Sequence, residues 1–171
     1  MATPMMPVTS SCRYVIGEDG LARLPAAAAQ AWIGLLESHK RLTRALEAEL
    51  LAAHGLSLSG LELLGRLAAS SDRTLGLSAL AEQAGLSLSR VSRLVDGLAR
   101  RGLVQRQVKA GDGRARQAGL TPAGFELLRV ARLTHYEGVQ RRFFDRLAPG
   151  EIESLAAVLA HLAPDAAQDC T

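Results

Sequence analysis

The sequence predicts a mainly helical protein that carries one two-stranded β-hairpin, and three observations support this fold class. Apolar residues recur at steps of three and four across residues 26–53, as they do in a long amphipathic helix. Shorter segments with a helical pattern follow, separated by glycine and serine. A β-prone run with long polar side chains then leads through a glycine-containing turn into a second run, which is typical of a hairpin.

The composition is that of an ordinary folded domain. The chain has 171 residues, of which 48% are hydrophobic and 22% charged, so neither a disordered nor a fibrous protein is indicated. The sequence contains no apolar run of about 18 residues and no secretory signal. We therefore expect a cytoplasmic protein without a membrane partner.

The N-terminal part divides into an arm and a long helix. Residues 1–24 have no period and are predicted to form a flexible N-terminal arm. Residues 25–55 are predicted to form a long helix. Its periodic part at residues 26–53 alone would be about 42 Å long, which exceeds the width of a small domain's core. Part of its apolar stripe therefore needs another partner, and the stripe consists of Trp32, Leu35, Leu36, His39, Leu42, Leu46 and Leu50.

Residues 56–121 are predicted to form a domain that ends in the hairpin. Ser59 and Glu62 have the spacing of a capping box, which predicts a helix that runs to about Ala69. A short helix then ends at Gly85, and Ser87 begins the next helix.

That next helix separates apolar from charged side chains. Val91, Leu94, Val95 and Leu98 share one stripe at 100° per residue, whereas the opposite side carries Ser89, Arg93, Asp96 and Arg100. The helix is followed by the hairpin, whose parts are predicted at residues 103–109, 110–113 and 114–120.

The C-terminal part is predicted to be helical over residues 122–163, with a tail at 164–171. Thr121 and Pro122 have the residue types of a helix start, and this helix is expected to reach Leu147. A last short helix, with Ile152, Leu155, Leu159 and Leu162 on one face, precedes Pro164.

Positive charge is concentrated in residues 86–116. Eight arginines and lysines stand there against two aspartates, so this segment has a net charge of +6 while the whole chain has only +3. Such a concentration is what a polyanion-binding surface requires. For Arg100 and Arg101, at the end of the helix, a role in complementing the helix dipole and a contact to phosphate remain equally open.

A short helix, a glycine turn, an amphipathic helix and a basic hairpin, in that order, form a winged helix-turn-helix that can bind duplex DNA. Serine hydroxyls and arginine guanidinium groups near the start of the second helix can read base edges in the major groove. An arginine at the hairpin tip suits the narrow minor groove. The candidate DNA-binding residues are Ser87, Ser89, Arg90, Ser92, Arg93, Arg114 and Arg116.

The sequence resembles the MarR family of bacterial winged-helix transcriptional regulators over about residues 30–163. The resemblance rests on Leu77-Ser78-x-Leu80-Ala81-Glu82, on Ser87-x-Ser89-Arg90-Val91-Ser92-Arg93-Leu94-Val95-Asp96-x-Leu98 with Gly102-Leu103-Val104, and on Asp112-x-Arg114-Ala115 with Leu120-Thr121-x-x-Gly124. The stretch from Arg141 to Pro149 and the N-terminal arm are also similar to the urate-responsive branch of this family.

The resemblance implies a homodimer whose N- and C-terminal helices interlock, so that two winged domains reach a pseudo-palindromic operator. It also implies a repressor that small aromatic or phenolic acids release from DNA. The implied effector pocket lies between the dimerisation helices and the winged domain, and Trp32, His39 and Asp72 are its candidate residues.

Several alternatives remain beside this interpretation. Some MarR-type proteins sense peroxides through an N-terminal cysteine, and Cys12 beside Arg13 is a candidate for that role, although an inert thiol is favoured. Arginines of the same face could instead bind an acidic protein partner. We expect neither an enzyme nor a metal or cofactor, because the sequence has no catalytic motif and its four histidines lack the paired spacing of a metal site.

Overall fold

A computed structural model describes residues 14–108 and 116–163 of the chain. The described elements confirm the mainly helical fold class and follow one another as β1 (Val15–Ile16), β2 (Ala22–Arg23), α1 (Ala26–His54), α2 (Leu58–Ala69), β3 (Thr74–Gly76), α3 (Leu77–Gln83), α4 (Leu88–Arg100), β4 (Val104–Val108), β5 (Arg116–Leu120), α5 (Pro122–Arg142), a 3₁₀ turn (Phe144–Arg146) and α6 (Glu151–Leu162). None of the described helices is long and apolar enough to cross a membrane. The chain divides into two compact units, Met1–Thr43 and Arg44–Thr171.

The first unit contains a small hairpin before α1. Strand β1 pairs antiparallel with β2, with Val15 opposite Arg23. Between the strands, the Asp19 carboxylate accepts hydrogen bonds from the Arg23 guanidinium and from the Leu21 N–H, and these lower the pKa of Asp19. The sequence predicts only a flexible arm here, because strands of two residues are too short to show a period.

The second unit has one apolar core, to which the C-terminal part of α1, the next four helices and the sheet contribute. Burial of one such leucine or valine side chain stabilises the fold by about 1.5–3 kcal/mol. The largest fully buried side chains are Leu50, Leu56, Leu63, Leu64, Leu67, Leu80, Val91 and Val95. Because α2, α3 and α4 share this core, the core fixes the direction in which the outer face of α4 points.

The sheet has three strands in the order β3-β5-β4. Strands β4 and β5 pair antiparallel from Val104 opposite Leu120 to Val108 opposite Arg116, which confirms the predicted hairpin. Strand β3 adds an edge, with Thr74 opposite Gly119. The sequence does not predict β3, since three residues are too few for an alternating pattern.

Two predicted helix starts are confirmed. The Ser87 hydroxyl accepts a hydrogen bond from the Arg90 N–H at 3.4 Å, and the Thr121 hydroxyl accepts one from the Gly124 N–H at 3.0 Å. A side chain at Gly124 is excluded, because a Cβ there would lie 2.0 Å from the Leu103 carbonyl oxygen. The start of α5 is therefore held tightly against the start of β4.

The predicted start of α2 is wrong by two residues. Ser57, rather than Ser59, is the N-cap, and its hydroxyl accepts from the Gly60 N–H at 3.0 Å. The Glu47 carboxylate of α1 accepts from the Leu58 N–H at 2.6 Å. This acceptor lies on another helix, 11 residues away from Leu58, and it favours the start at Ser57 over the start at Ser59.

The predicted end of α5 is also wrong, because the helix ends at Arg142 rather than Leu147. Phe143 leaves the helical conformation, and a 3₁₀ turn follows. Its Asp145 carboxylate accepts from the Gln140 side chain at 2.6 Å, and the Phe143 and Phe144 rings meet edge to face. These side-chain contacts end the helix where the sequence has neither glycine nor proline.

Candidate nucleic-acid interface

Helix α4 has one buried and one exposed face. Val91, Val95 and Leu98 are buried in the core, and Leu94 packs against it. On the other side the helix exposes Ser89, Arg90, Arg93 and Arg100. The predicted separation of apolar and charged side chains on this helix is therefore present. Its charged face is open to a macromolecular partner.

The first turn of α4 presents the groups that hydrogen-bond to nucleic acids. Ser87 and Ser89 are exposed, with 3.2 Å between their hydroxyl oxygens. Within the described part of the chain, the guanidinium groups of Arg90 and Arg93 form no ion pair and no hydrogen bond. These two cations are therefore available to an external acceptor without the loss of an internal contact.

Ser92 faces the hairpin of β4 and β5, which is the wing of the predicted winged helix-turn-helix, rather than open solvent. It is half-buried, and its hydroxyl and carbonyl oxygens both accept from Nη2 of Arg106 on β4, at 2.8 and 3.1 Å. Arg106 Nε also lies 2.8 Å from Asp96 Oδ1, an ion pair without the geometry of a hydrogen bond. One arginine thus connects β4 to α4, a role that no local sequence signal predicts.

Arg101 contacts protein as well. Its guanidinium donates to the carbonyl oxygens of Gly55 at 2.6 Å and His54 at 3.0 Å. Arg100 is exposed and has no such partner among the described residues. Arg101 therefore complements the C-terminal end of α1, while both roles that the sequence leaves open stay open for Arg100.

Of the wing, the structure describes the two strands but not the segment 109–115 between them. Arg116 is exposed at the start of β5. Arg114 lies outside the described residues, as does the predicted turn at 110–113. Cys12 also lies outside the described part of the chain.

The candidate effector residues belong to different units. Trp32 and His39 are exposed on α1 in the first unit, with Trp32 55% exposed. Asp72 belongs to the second unit, where its carboxylate accepts from the Thr74 N–H at 3.0 Å and thereby forms a turn.

A cavity of about 470 Å³ lies between α2 and α5 in the second unit. The sequence analysis does not identify its lining, although the α5 residues recur at helical spacing and so give a signal. The lining consists of Gly65, Ala68, Ala69, Phe125, Leu128, Arg129, Arg132, Leu133 and Tyr136. A neighbouring cavity of about 360 Å³ shares Arg132 and Tyr136 and adds His135, whose pKa burial and Arg132 lower.

Comparison with known proteins gives relatives for most of the chain. Residues 60–108 match the family model of the IclR helix-turn-helix domain. No curated protein sequence matches the chain. Among solved structures, the chain is similar to Sco3205, a MarR family transcriptional regulator from Streptomyces coelicolor in complex with DNA, with 32% identity over 82% of this chain and 89% of that one and a TM-score of 0.76.

Two further structures have the same fold. AbsC, a MarR family transcriptional regulator from Streptomyces coelicolor, has 32% identity over 83% of this chain and 95% of that one, with a TM-score of 0.75. CouR from Rhodococcus jostii RHA1, bound to p-coumaroyl-CoA, has 22% identity over 81% of this chain and 94% of that one, with a TM-score of 0.67. At that lower identity the likeness to CouR shows the fold alone.

Proposed function

This chain belongs to the MarR family of transcriptional regulators, and we propose that it is a homodimeric repressor of a pseudo-palindromic operator. The family consists of DNA-binding regulators rather than enzymes. The observation that carries the proposal is the outer face of α4, where Arg90 and Arg93 have no partner in the described structure while the opposite face is buried. The cytoplasmic location expected from the sequence is part of the same proposal.

In the proposed complex, α4 enters the major groove. Ser89, Arg90 and Arg93 contact base edges there, since a guanidinium group can donate two hydrogen bonds to guanine. Ser87 and Arg116 contact the backbone and position the domain. Arg114, which lies outside the described residues, is the proposed minor-groove arginine of the wing.

Apolar side chains left exposed on α1 and α6 support the proposed dimer. On α1 the large exposed apolar side chains are Trp32, Ile33, Leu35, Leu36 and Leu51, and on α6 they are Ile152, Val158, Leu159 and Leu162. Contiguous exposed apolar surface marks sites of association. A two-fold axis would place two α4 helices on half-sites about one helical turn apart.

We further propose that a small aromatic or phenolic acid releases the repressor from DNA. Trp32, His39 and Asp72 remain the proposed effector residues. The cavity between α2 and α5 offers a second place in the chain for such a ligand, because an apolar floor stands beside the Arg132 guanidinium and the Tyr136 ring. Effector binding would change the spacing of the two α4 helices and so weaken binding to fixed half-sites.

A titration of the protein against its own upstream DNA tests this function. Binding is measured at two salt concentrations, alone and with salicylate, urate or an organic peroxide. We expect tight, salt-sensitive binding that salicylate or urate weakens. Release by peroxide that is lost in Cys12→Ser would instead favour the redox-sensing alternative.

Binding no tighter than that to random duplex would contradict the proposed operator in this region. Affinity with little salt dependence would contradict an interface of unpaired arginines, because each neutralised phosphate releases counterions.

A further inference from the structure

Arg101 joins the C-terminal ends of two helices. It is the C-cap residue of α4, and its side chain reaches the last carbonyls of α1, Gly55 through Nη1 at 2.6 Å and His54 through Nη2 at 3.0 Å. Helix α1 ends there because Gly55 has φ of +58°, and its N–H donates back to Leu51. The contacted residues are 46 and 47 positions away in the sequence, so this is a tertiary contact.

The contact suits the chemistry of a helix end. The last four carbonyl groups of a helix lack donors from their own helix, and they carry the negative end of its dipole. A planar guanidinium group can serve two carbonyl groups at once and adds a positive charge. Here these are the last carbonyl of α1, at His54, and that of Gly55 directly after it. The His54 ring also lies 2.8 Å from the Thr134 hydroxyl of α5, so the end of α1 is fixed to both α4 and α5.

A small cavity places this contact next to the DNA-facing side of α4. Arg101 and Arg93 line the same cavity of about 250 Å³, together with Gly55 and Gly97. A tilt of α4 about its C-terminal end would therefore move Arg93 and the first turn of the helix.

We propose that Arg101 is a positioning residue, which clamps the end of α4 to the end of α1 and so sets the angle at which Ser89, Arg90 and Arg93 meet DNA. The inference rests on the proposed function, since it concerns how the same face binds an operator. Each terminal nitrogen of Arg101 already donates to a carbonyl group, which favours a positioning role. The guanidinium group keeps further N–H donors, so the test below separates this role from a phosphate contact.

Two substitutions that each remove the same charge provide the test. Arg101→Ala and Arg100→Ala each remove one positive charge from the same end of α4, but only the first breaks a contact. Each variant and the parent are titrated against operators whose half-sites are moved apart or together by one and two base pairs, at several salt concentrations. Arg101→Lys is the third variant, because lysine keeps the charge and lacks the planar fork.

For Arg101→Ala we expect operator affinity to fall by about tenfold, with a flatter dependence on half-site spacing and an unchanged salt slope. Arg100→Ala should keep the spacing dependence of the parent. Arg101→Lys should behave like Arg101→Ala. If lysine restores binding, or if the salt slope of Arg101→Ala falls by about one while the spacing dependence is kept, Arg101 contacts phosphate and the proposal is wrong.

Amide hydrogen exchange of the free protein examines the clamp without DNA. In Arg101→Ala, exchange should rise together in residues 50–56 and 95–103, and Arg100→Ala should leave both segments unchanged. Equal exchange in both variants would overturn the proposal. If the clamp is found but the parent protein binds no operator, the proposed function fails, and with it the positioning role.

Discussion

At the residue scale, the arginines of the DNA-facing domain divide by what their guanidinium groups contact. Arg101 and Arg106 donate to protein oxygens, whereas Arg90 and Arg93 have no partner among the described residues. Contacts to protein oxygens restrain the direction in which a guanidinium group points, while an unpaired one exchanges only water for a contact to DNA. We therefore propose that Arg90 and Arg93, rather than Arg101 and Arg106, contact DNA from this helix and strand.

Replacement of Arg93 by alanine should lower operator affinity and relax base preference. A guanidinium contact to a base is worth about 1–3 kcal/mol, so the expected loss is about tenfold to a hundredfold on the operator and much less on random duplex. Fluorescence anisotropy with both duplexes measures this. Arg41→Ala, which removes an exposed arginine of α1, is the control and should leave both affinities unchanged. Equal losses on both duplexes would show that Arg93 contacts phosphate only.

His135 should make stability depend on pH. Burial, and then the charge of Arg132, lower its pKa from the ordinary 6.5, and its Nδ1 is buried without a hydrogen-bond partner. The unfolded chain therefore takes up a proton at higher pH than the folded one. Stability should fall as pH drops below about 6.5, and the fall should end below the folded pKa.

His135→Gln should reduce this loss in urea unfolding at pH 7 and pH 5. The control is His161→Gln, at an exposed histidine of α6, which should keep the pH dependence of the parent. If His135→Gln loses as much stability between the two pH values as the parent, His135 is not the source of the pH dependence.

At the scale of elements, β4 and α4 are joined by the contacts of Arg106 with Asp96 and Ser92. Both partners lie on the side of α4 next to the wing, so the pair couples the strand to the helix. A double-mutant cycle with Arg106→Ala and Asp96→Ala should give a coupling energy of about 1 kcal/mol in urea unfolding. A coupling energy near zero would show that the ion pair does not contribute to stability.

Helix α6 should carry part of the dimer interface. Leu159→Glu places a charge among its exposed apolar side chains, and we expect the variant to remain folded but elute as a monomer. Ala157→Glu, nearly opposite on the same helix, should leave the dimer intact. Light scattering after size exclusion measures both masses, and a dimeric Leu159→Glu would remove α6 from the interface.

Local sequence signals predict the elements where the contacts that fix them are themselves local. Ser87 and Thr121 cap their helices as predicted, because each accepts from an N–H three residues ahead. Ser57 caps α2 in the same local way, but Ser59 has the same residue type, and the Glu47 carboxylate of another helix, which accepts from the Leu58 N–H, favours the earlier start. The end of α5 escapes prediction because side chains of the following turn, rather than a glycine, terminate the helix.

At the scale of the whole molecule, charge distribution and element order predict a candidate DNA-binding surface but not which of its arginines contact protein. The segment 86–116 holds a net charge of +6, yet two of its eight cations serve to connect helices and strands. That division depends on residues far apart in the sequence, such as Gly55 and Arg101. The cavity between α2 and α5 likewise forms only when two distant helices pack.

In the proposed complex, two copies of this chain place their α4 helices in consecutive major grooves. A hydroxyl-radical footprint of the parent protein on its upstream DNA tests this arrangement. We expect two protected regions, related by a two-fold axis and centred about 10 base pairs apart, and loss of both in an Arg90→Ala, Arg93→Ala double variant. One protected region, or two that persist in the double variant, would contradict it.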